Sequence, residues 1–438
     1  MKTAAKILFF ITGAVAIALT AHSCWTFDRD DPPCPKINSF APKGGAFGEE
    51  ITITGEGFFE GLSNLHIVKI GNNTIVPEED VTVLDGKTIK FKVPKGAENG
   101  AISVTLKTAL DCPGVSKEEF TYYYTATLVK RLIGMQTDIN CEGCLNYPAG
   151  LDTDTSGNII VADKLRHRIC KYNASGTFSS SYGNGVPNCN ADPTNSIVAS
   201  FNEPLDVEVD PGGNVYVADN ANSVIRKFSS ATVPSTIERY AGKCNSSLFN
   251  DGSCTNSSGS ARISSPYSLV KDDNNTIYLA DNGTLRKIDD PCNITTMIYD
   301  PAYDFRAIAI SRTRINAGEG PLFVTDAKGK KVYSVNLNGL SSPVAMDQAL
   351  LDMPQALTLD SKGNIFIADS NKHQVFVIYN NGAIRILAGT GASGYTDGVA
   401  GKDARFMQPS GIAINSAKPN LVYVSDSGNH VVRCLTIE

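Results

Sequence analysis

The chain has 438 residues, enough for two or three domains, and its 38 Gly and 21 Pro favour short strands and turns over long helices. Lysine and arginine number 39 against 45 aspartate and glutamate, and no basic run occurs anywhere. That balance lacks the electrostatic footprint of a phosphate-backbone binder and excludes nucleic acid as a partner.

Lys2 and Lys6 precede the apolar stretch ILFFITGAVAIALTA, which is too short to span a bilayer comfortably and is followed by small residues. Residues 1–23 therefore read as a signal peptide and the protein as exported. The tetrad AHSC ending at Cys24 resembles a bacterial lipobox, with Ala21 where that motif usually carries Leu. The resemblance implies lipidation of Cys24 and an outer-membrane anchor; plain signal cleavage is the alternative. Residues 24–33 come next, where Asp28, Asp30 and Asp31 resemble the acidic tether that directs lipoproteins to the cell surface, a solvated linker being the other reading.

Without Cys24, ten of the 11 cysteines remain, an even number that fits disulfides better than thiol chemistry in an exported chain. Cys34 and Cys112 bracket the first domain. Cys141 and Cys144 either pair with each other or reach Cys189, and Cys244 and Cys254 lie in one loop. A single C-x-x-C reads as a disulfide rather than a zinc site.

From 34 to 124 short alternating strands are separated by Gly, Asn and Pro, as in EEITITGEGF, NLHIVKIGN and AISVTLKT, the pattern of a β-sandwich. The stretch INSFAPKGGAFGEEITITGEGF resembles the opening of the IPT/TIG family of immunoglobulin-like domains. In such a domain Ile51, Ile53, Phe58 and Val104 belong to the core.

From 125 to 438 the chain repeats itself. Four copies are clear: GLDTDTSGNIIVADKLRHRICKY, DVEVDPGGNVYVADNANSVIRKF, LTLDSKGNIFIADSNKHQVFVIY and GIAINSAKPNLVYVSDSGNHVVRCL; two more begin at Ser268 and Ala307. Each reads as strand, turn, strand ending in Asp, turn, strand, with a fourth strand such as TIERYAG completing a propeller blade. The Gly-Asn before the second strand, the Ala-Asp after it and the Asn-His before the third resemble NHL repeats. The last copy lacks a fourth strand, while TLVKRLIGM at 127–135 looks like AIRILAGTG, so this early segment is expected to complete the last blade and close the ring. The fold class is therefore all-β: an N-terminal immunoglobulin-like β-sandwich followed by a six-bladed NHL-type β-propeller.

Three constellations suggest chemistry and are read as structural. Gly389, Gly391 and Gly394 satisfy G-x-G-x-x-G, but the segment after them has no helical periodicity to supply a phosphate site and reads as a connection between blades. Asp152, Asp154 and Ser156 imitate a calcium loop, yet Asp154 and Gly157 align with Asp360 and Gly363 as hairpin-turn residues. His167, His373 and His430 each lie four residues after a strand-ending Asp, a repeat position that spreads them around a ring and packs them on their hairpins.

Some propellers that resemble this one are lyases or hydrolases with a metal in the channel. Here no inner strand carries His, Asp206 stands out as the carboxylate there, and no G-x-S-x-G elbow appears. The expectation is a non-catalytic cell-surface lipoprotein that needs no cofactor. Its architecture resembles accessory proteins of polysaccharide-uptake systems, which implies a glycan ligand and uptake-system partner proteins, with the IPT/TIG domain as spacer. The alternatives are a protein-protein interaction scaffold and a propeller lyase or hydrolase. Residues just before the inner strands are expected to converge on the channel mouth, making Tyr267, Arg306, Gln355 and Asp206 candidate ligand-binding residues together with Tyr395 and Arg405 from the glycine-bearing connection.

Overall fold

The computed structural model describes residues 34–438 apart from 60–65, 108, 135–142, 190–193, 196–197, 232–234, 247, 249, 255–259, 290–291, 312–321, 337–343, 346–348 and 381. The signal segment, Cys24, the acidic tether and Cys141 lie outside the described residues. No helix among the described residues is long and apolar enough to cross a membrane.

The first region is a sandwich of two sheets. One orders the strands Lys36–Ala41, Glu50–Glu56, Thr88–Lys92 and Val81–Asp85; the other orders Gly44–Gly45, Ala109–Tyr122, Gly100–Leu106, His66–Ile70 and Thr74–Ile75. Alternation puts one face of each strand inward, and Ile51, Ile53, Phe58 and Val104 are all buried in the shared core, as the sequence pattern requires. Cys34 and Cys112 are joined by a disulfide.

Beyond Thr125 the described strands form six sheets of four or five strands. Their innermost strands are Pro148–Thr153, Pro204–Val209, Pro266–Lys271, Phe305–Ile310, Pro354–Leu359 and Pro409–Ile414, and the sheets are numbered in that order. Each inner strand contacts the next, and the sixth contacts the first, so the sheets surround a central channel. Second strands such as Ile159–Asp163 and Ile365–Asp369 are buried along their whole length because neighbouring sheets cover both faces. The strand Ala126–Ile133 pairs antiparallel with the last strand, Val431–Ile437, in the register Val129 to Leu435. The early segment thus supplies the outer strand of the sixth sheet, as its likeness to the other outer strands implies.

Each sheet carries the same device at the end of its second strand. Asp163, Asp219, Asp281, Asp326, Asp369 and Asp426 are almost fully buried. Each accepts backbone N–H groups from the segment leading into its own inner strand, for example Asn146 at 2.7 Å and Met407 at 2.6 Å. Four of them also pair with a third-strand arginine: Arg168, Arg226, Arg286 and Arg433.

The glycine-bearing connection is a strap. Gly389, Gly391 and Gly394 all have positive φ, and a Cβ on Gly389 would lie 2.6 Å from the carbonyl oxygen of His373, so glycine is needed for the backbone path there. Downstream of these glycines the strap contains a single 3₁₀ turn, Gly401–Asp403, and no α-helix. Gly398 exchanges two backbone hydrogen bonds with Val129, and Asp397 accepts from the N–H of Arg131 at 3.1 Å and from the buried Arg433 at 2.7 Å. Asp251 in the matching connection does the same for Thr296 and the buried Arg286. The Asp-Gly shared by the two connections is therefore a clamp on an outer strand.

Disulfides Cys189–Cys244 and Cys254–Cys292 tie the connections around the second and third sheets, and Cys144 is also disulfide-bonded. Cysteine parity fails for two residues. Cys170 and Cys434 are buried free thiols in one hydrophobic cluster, and burial raises the Cys170 thiol to about 12, which leaves it inert.

Sandwich and ring meet through the Tyr122–Tyr124 run. Tyr123 packs against Tyr379 under the guanidinium of Arg385, 4.7 Å from the ring centre. The N–H of Tyr124 donates to the Tyr379 hydroxyl at 2.6 Å, and its own hydroxyl donates to Asp360 at 2.9 Å. An ion pair between Lys95 and Glu438, and reciprocal backbone bonds between Thr125 and Glu438, complete the joint.

Candidate functional site

The six inner strands enclose a cavity of about 520 Å³ along the channel. Their second residues stand around one end, the mouth: Ala149, Leu205, Tyr267, Arg306, Gln355 and Ser410, of which all but Ala149 line the cavity. Five of the six inner strands begin with proline, whose fixed φ starts the strand where no ladder hydrogen bond is lost; Phe305 takes that place in the fourth. The scaffold is regular and the mouth is not, since no two of its six residues are alike.

Tyr267 and Arg306 come together across neighbouring sheets. The Arg306 guanidinium lies 4.1 Å from the centre of the Tyr267 ring, and its Nη2 pairs with Asp304 at 2.8 Å. Its Nε is enclosed and has no hydrogen-bond partner among the described residues. The Tyr267 ring is thus covered by the neighbouring arginine, and the two side chains form one partly desolvated platform. Gln355 lines the same cavity. The hydroxyl of Ser410 is within 2.5 Å of the Ser427 hydroxyl and is held to the wall.

Asp206 sits one residue deeper and lines the cavity. Its carboxylate accepts the N–H of Leu269 in the next inner strand at 3.1 Å and lies against Gly150, where an added Cβ would meet it at 2.1 Å. Burial raises its carboxyl to about 7. Asp152 does for the second inner strand what Asp206 does for the third, accepting from the N–H of Val209 at 2.8 Å. Asp152 and Glu208 join Asp206 in the cavity lining, so this wall is more acidic than Asp206 alone suggested.

Tyr395 and Arg405 do not line the cavity. Both lie in the strap, which bridges Thr396 to Arg405; the Tyr395 ring centre is 5.1 Å from the guanidinium of Arg433, and the Arg405 carbonyl accepts from that same arginine at 3.0 Å. The clamp on the sixth sheet pulls them outward. The imitation calcium loop is a hairpin turn: Asp154 accepts from Ser156, Asn158 and Lys171, while Asp152 turns to the neighbouring strand. Among the described residues no group of three or more His, Cys, Asp or Glu side chains is placed to hold a metal ion.

The histidines join sheets, a role the hairpin-packing expectation missed. His430 Nδ1 accepts the N–H of Tyr147 at 3.0 Å, His167 that of Glu203 at 3.1 Å and His373 that of Gln408 at 3.2 Å. Each donor is the residue immediately before the inner strand of the following sheet, and each has positive φ. At the other three junctions the corresponding residues Ser265, Asp304 and Met353 give their N–H to the buried Asp of their own sheet. The signal was available in the repeats: His at the turn coincides with Tyr147, Glu203 or Gln408 before the next proline.

A family model for the IPT/TIG domain matches residues 35–122, and one for the NHL repeat matches residues 145–172, 201–228 and 351–378. The NHL repeat-containing protein 2 of Bos taurus is 34% identical over 86 residues, 19% of this chain and 11% of that protein. The chain spans less than half the length of the Gallus gallus protein of the same name, of which 47% is covered. A solved structure of a protein of unknown function from Bacteroides thetaiotaomicron aligns with a TM-score of 0.56 and 14% identity, covering 94% of this chain and 100% of that one. An auxiliary nutrient binding protein from the same organism aligns with a TM-score of 0.53 and 15% identity, covering 93% of this chain and 99% of its own. At such identities the likeness is one of fold.

Proposed function

We propose that this chain, an IPT/TIG domain followed by NHL repeats, is a non-catalytic surface lipoprotein that binds a nutrient ligand, a glycan first among them, at the mouth of its propeller channel. The observation that carries the reading is the asymmetric mouth, where a regular ring presents the Arg306–Tyr267 platform beside Gln355 over a cavity of about 520 Å³. Support for binding over catalysis comes from the fold shared with an auxiliary nutrient binding protein. An aromatic ring backed by a cation, with hydrogen-bonding neighbours, suits a sugar ring, which offers an apolar face and a rim of hydroxyls. The sandwich is docked on the ring through Tyr123 and Tyr124 and serves as a stalk.

Tyr267→Ala and Arg306→Ala are each expected to weaken binding by about 2 kcal/mol while leaving the melting temperature nearly unchanged. Because the two side chains stack, the double variant should lose less than the sum of the single losses. The check is a glycan array with soluble residues 25–438, followed by titration of the best hit. Full affinity in the double variant would move the site off the mouth.

Anchoring through Cys24 is part of the same proposal. Two or more acyl chains bury enough CH₂ groups, at about 0.8 kcal/mol each, for stable attachment. Cys24→Ala is therefore expected to shift the protein from the membrane to the soluble fraction on cell fractionation, and equal retention of the variant would count against lipidation.

A further inference from the structure

The three histidine junctions are contiguous: fifth sheet to sixth, sixth to first, and first to second. Two of them flank the sixth sheet, the one assembled from both ends of the ring region, and the third is the next junction along. Each also sets the mouth, because Tyr147, Glu203 and Gln408 stand two residues before Ala149, Leu205 and Ser410. We propose that protonation of His167, His373 and His430 releases these clasps, so that the ring loosens in acid around the sixth sheet and half of the channel mouth loses its supports.

A backbone N–H can be accepted only by a nitrogen that carries no proton, so each imidazole in this arrangement is neutral with its proton on Nε2. The backbone on both sides of the bond is strained. His167, His373 and His430 have φ of 52°, 54° and 59°, and their partners Tyr147, Glu203 and Gln408 have 61°, 50° and 52°. Neither residue of such a pair is a glycine, and left-handed conformations persist in other residues when surrounding contacts hold them. Protonation turns the acceptor into a donor facing another donor, and the strained residue loses its own bond while its neighbour stays tied to the buried Asp.

Each imidazole shares its hairpin with a buried strand-ending carboxyl group: Asp163 for His167, Asp369 for His373 and Asp426 for His430. His167 shares its turn with Lys164 and Arg166, precedes Arg168, and faces Glu203, whose carboxylate is 3.4 Å from Lys164. His373 comes directly after Lys372 and faces a lead-in containing Lys402, Asp403 and Arg405. His430 has Asp426 and Arg433 in its own sheet and faces Tyr147, over which Lys164 lies at 5.7 Å from the ring centre. Burial holds His167 and His430 below the ordinary histidine value, against a weaker upward pull from Glu203 on His167. A group whose folded value is lowered contributes stability above its unfolded value, and that contribution is lost as pH falls through the folded value. Asp219 and Asp426 work in the opposite direction: burial raises both to about 6, so acid relieves their desolvation. Replacing only the histidines separates the two effects.

Asparagine is the replacement to use, since its amide oxygen accepts an N–H near the Nδ1 position, does not titrate, and tolerates left-handed backbone. Between pH 7.5 and 5.0 the wild-type melting temperature should fall by roughly 3–6 °C more than that of the His167→Asn, His373→Asn, His430→Asn triple variant. Hydrogen exchange at Tyr147, Glu203 and Gln408 should lose protection in the wild type and keep it in the variant. Parallel melting curves with equal protection would overturn the proposal. Should the triple variant fail to fold, an NMR titration of His167 and His430 in the wild type decides: native values below about 6.5 that coincide with lost protection support it, and values at or above 6.5 sink it.

Discussion

Deleting residues 126–133 is expected to yield a chain that aggregates in place of a monomeric ring. The segment is the outer strand of the sixth sheet, and its loss bares the edge of Val431–Ile437, a run in which Val431, Val432 and Leu435 are completely buried. A long apolar edge with free N–H and C=O groups recruits other chains. The deletion also takes the buried Val129 from the core and leaves Gly398 without its two backbone partners. A chain starting at Tyr123 is the paired control, for it loses the sandwich but keeps Tyr123, Tyr124 and the closing strand, and it should remain soluble and cooperative. Size-exclusion chromatography and thermal melting distinguish the two. A cooperative monomer without residues 126–133 would mean that the ring closes by other contacts.

The second large effect concerns the buried aspartates. Asp281→Ala is expected to destabilise the ring by about 3–5 kcal/mol, because it takes the one buried carboxylate from the fully buried Arg286 and removes the acceptor that the N–H groups of Ser264 and Ser265 share. The pair is no proof of net stabilisation by charge, since desolvating both ions offsets much of their attraction. The expectation concerns breaking it. Asp251→Ala removes the other carboxylate on Arg286, at 3.1 Å, but that side chain is half exposed, and its ion pair is worth about 1 kcal/mol or less. Urea denaturation of both variants tests the order, and equal losses would contradict it.

Much of this molecule is legible in its repeats. Alternation and turn residues place the strands, and the likeness of TLVKRLIGM to the other outer strands reveals the closing partner of Val431–Ile437. The glycine-rich segment betrays itself by its downstream neighbour, because a phosphate loop needs a helix and this one runs into a strap. What sequence cannot show is which side chain crosses from one repeat to the next. Arg306 covers Tyr267 because adjacent inner strands lie side by side, a relation between residues 39 positions apart. The strap carries Tyr395 and Arg405 away from the mouth because Arg433 and the closing strand hold it at the rim of the ring. Counting cysteines likewise says nothing about facing, and Cys170 and Cys434 remain thiols inside one core cluster. The histidines illustrate both sides: the repeat displays their position, and only the junction displays the N–H each one receives.

The joint between sandwich and ring restricts more than internal packing. Tyr124 reaches Asp360, which stands at the hairpin end of the fifth inner strand, whereas Arg306 and Gln355 open at the opposite end of the channel. Tyr123 is wedged beside Tyr379, a contact that opposes swivelling between the two bodies. If the sandwich is held at its Cys34 end, the mouth sweeps only a limited solid angle and faces away from the support. A freely jointed cup would spend part of its time turned toward its own base, whereas a fixed one held in this way would spend that time facing outward.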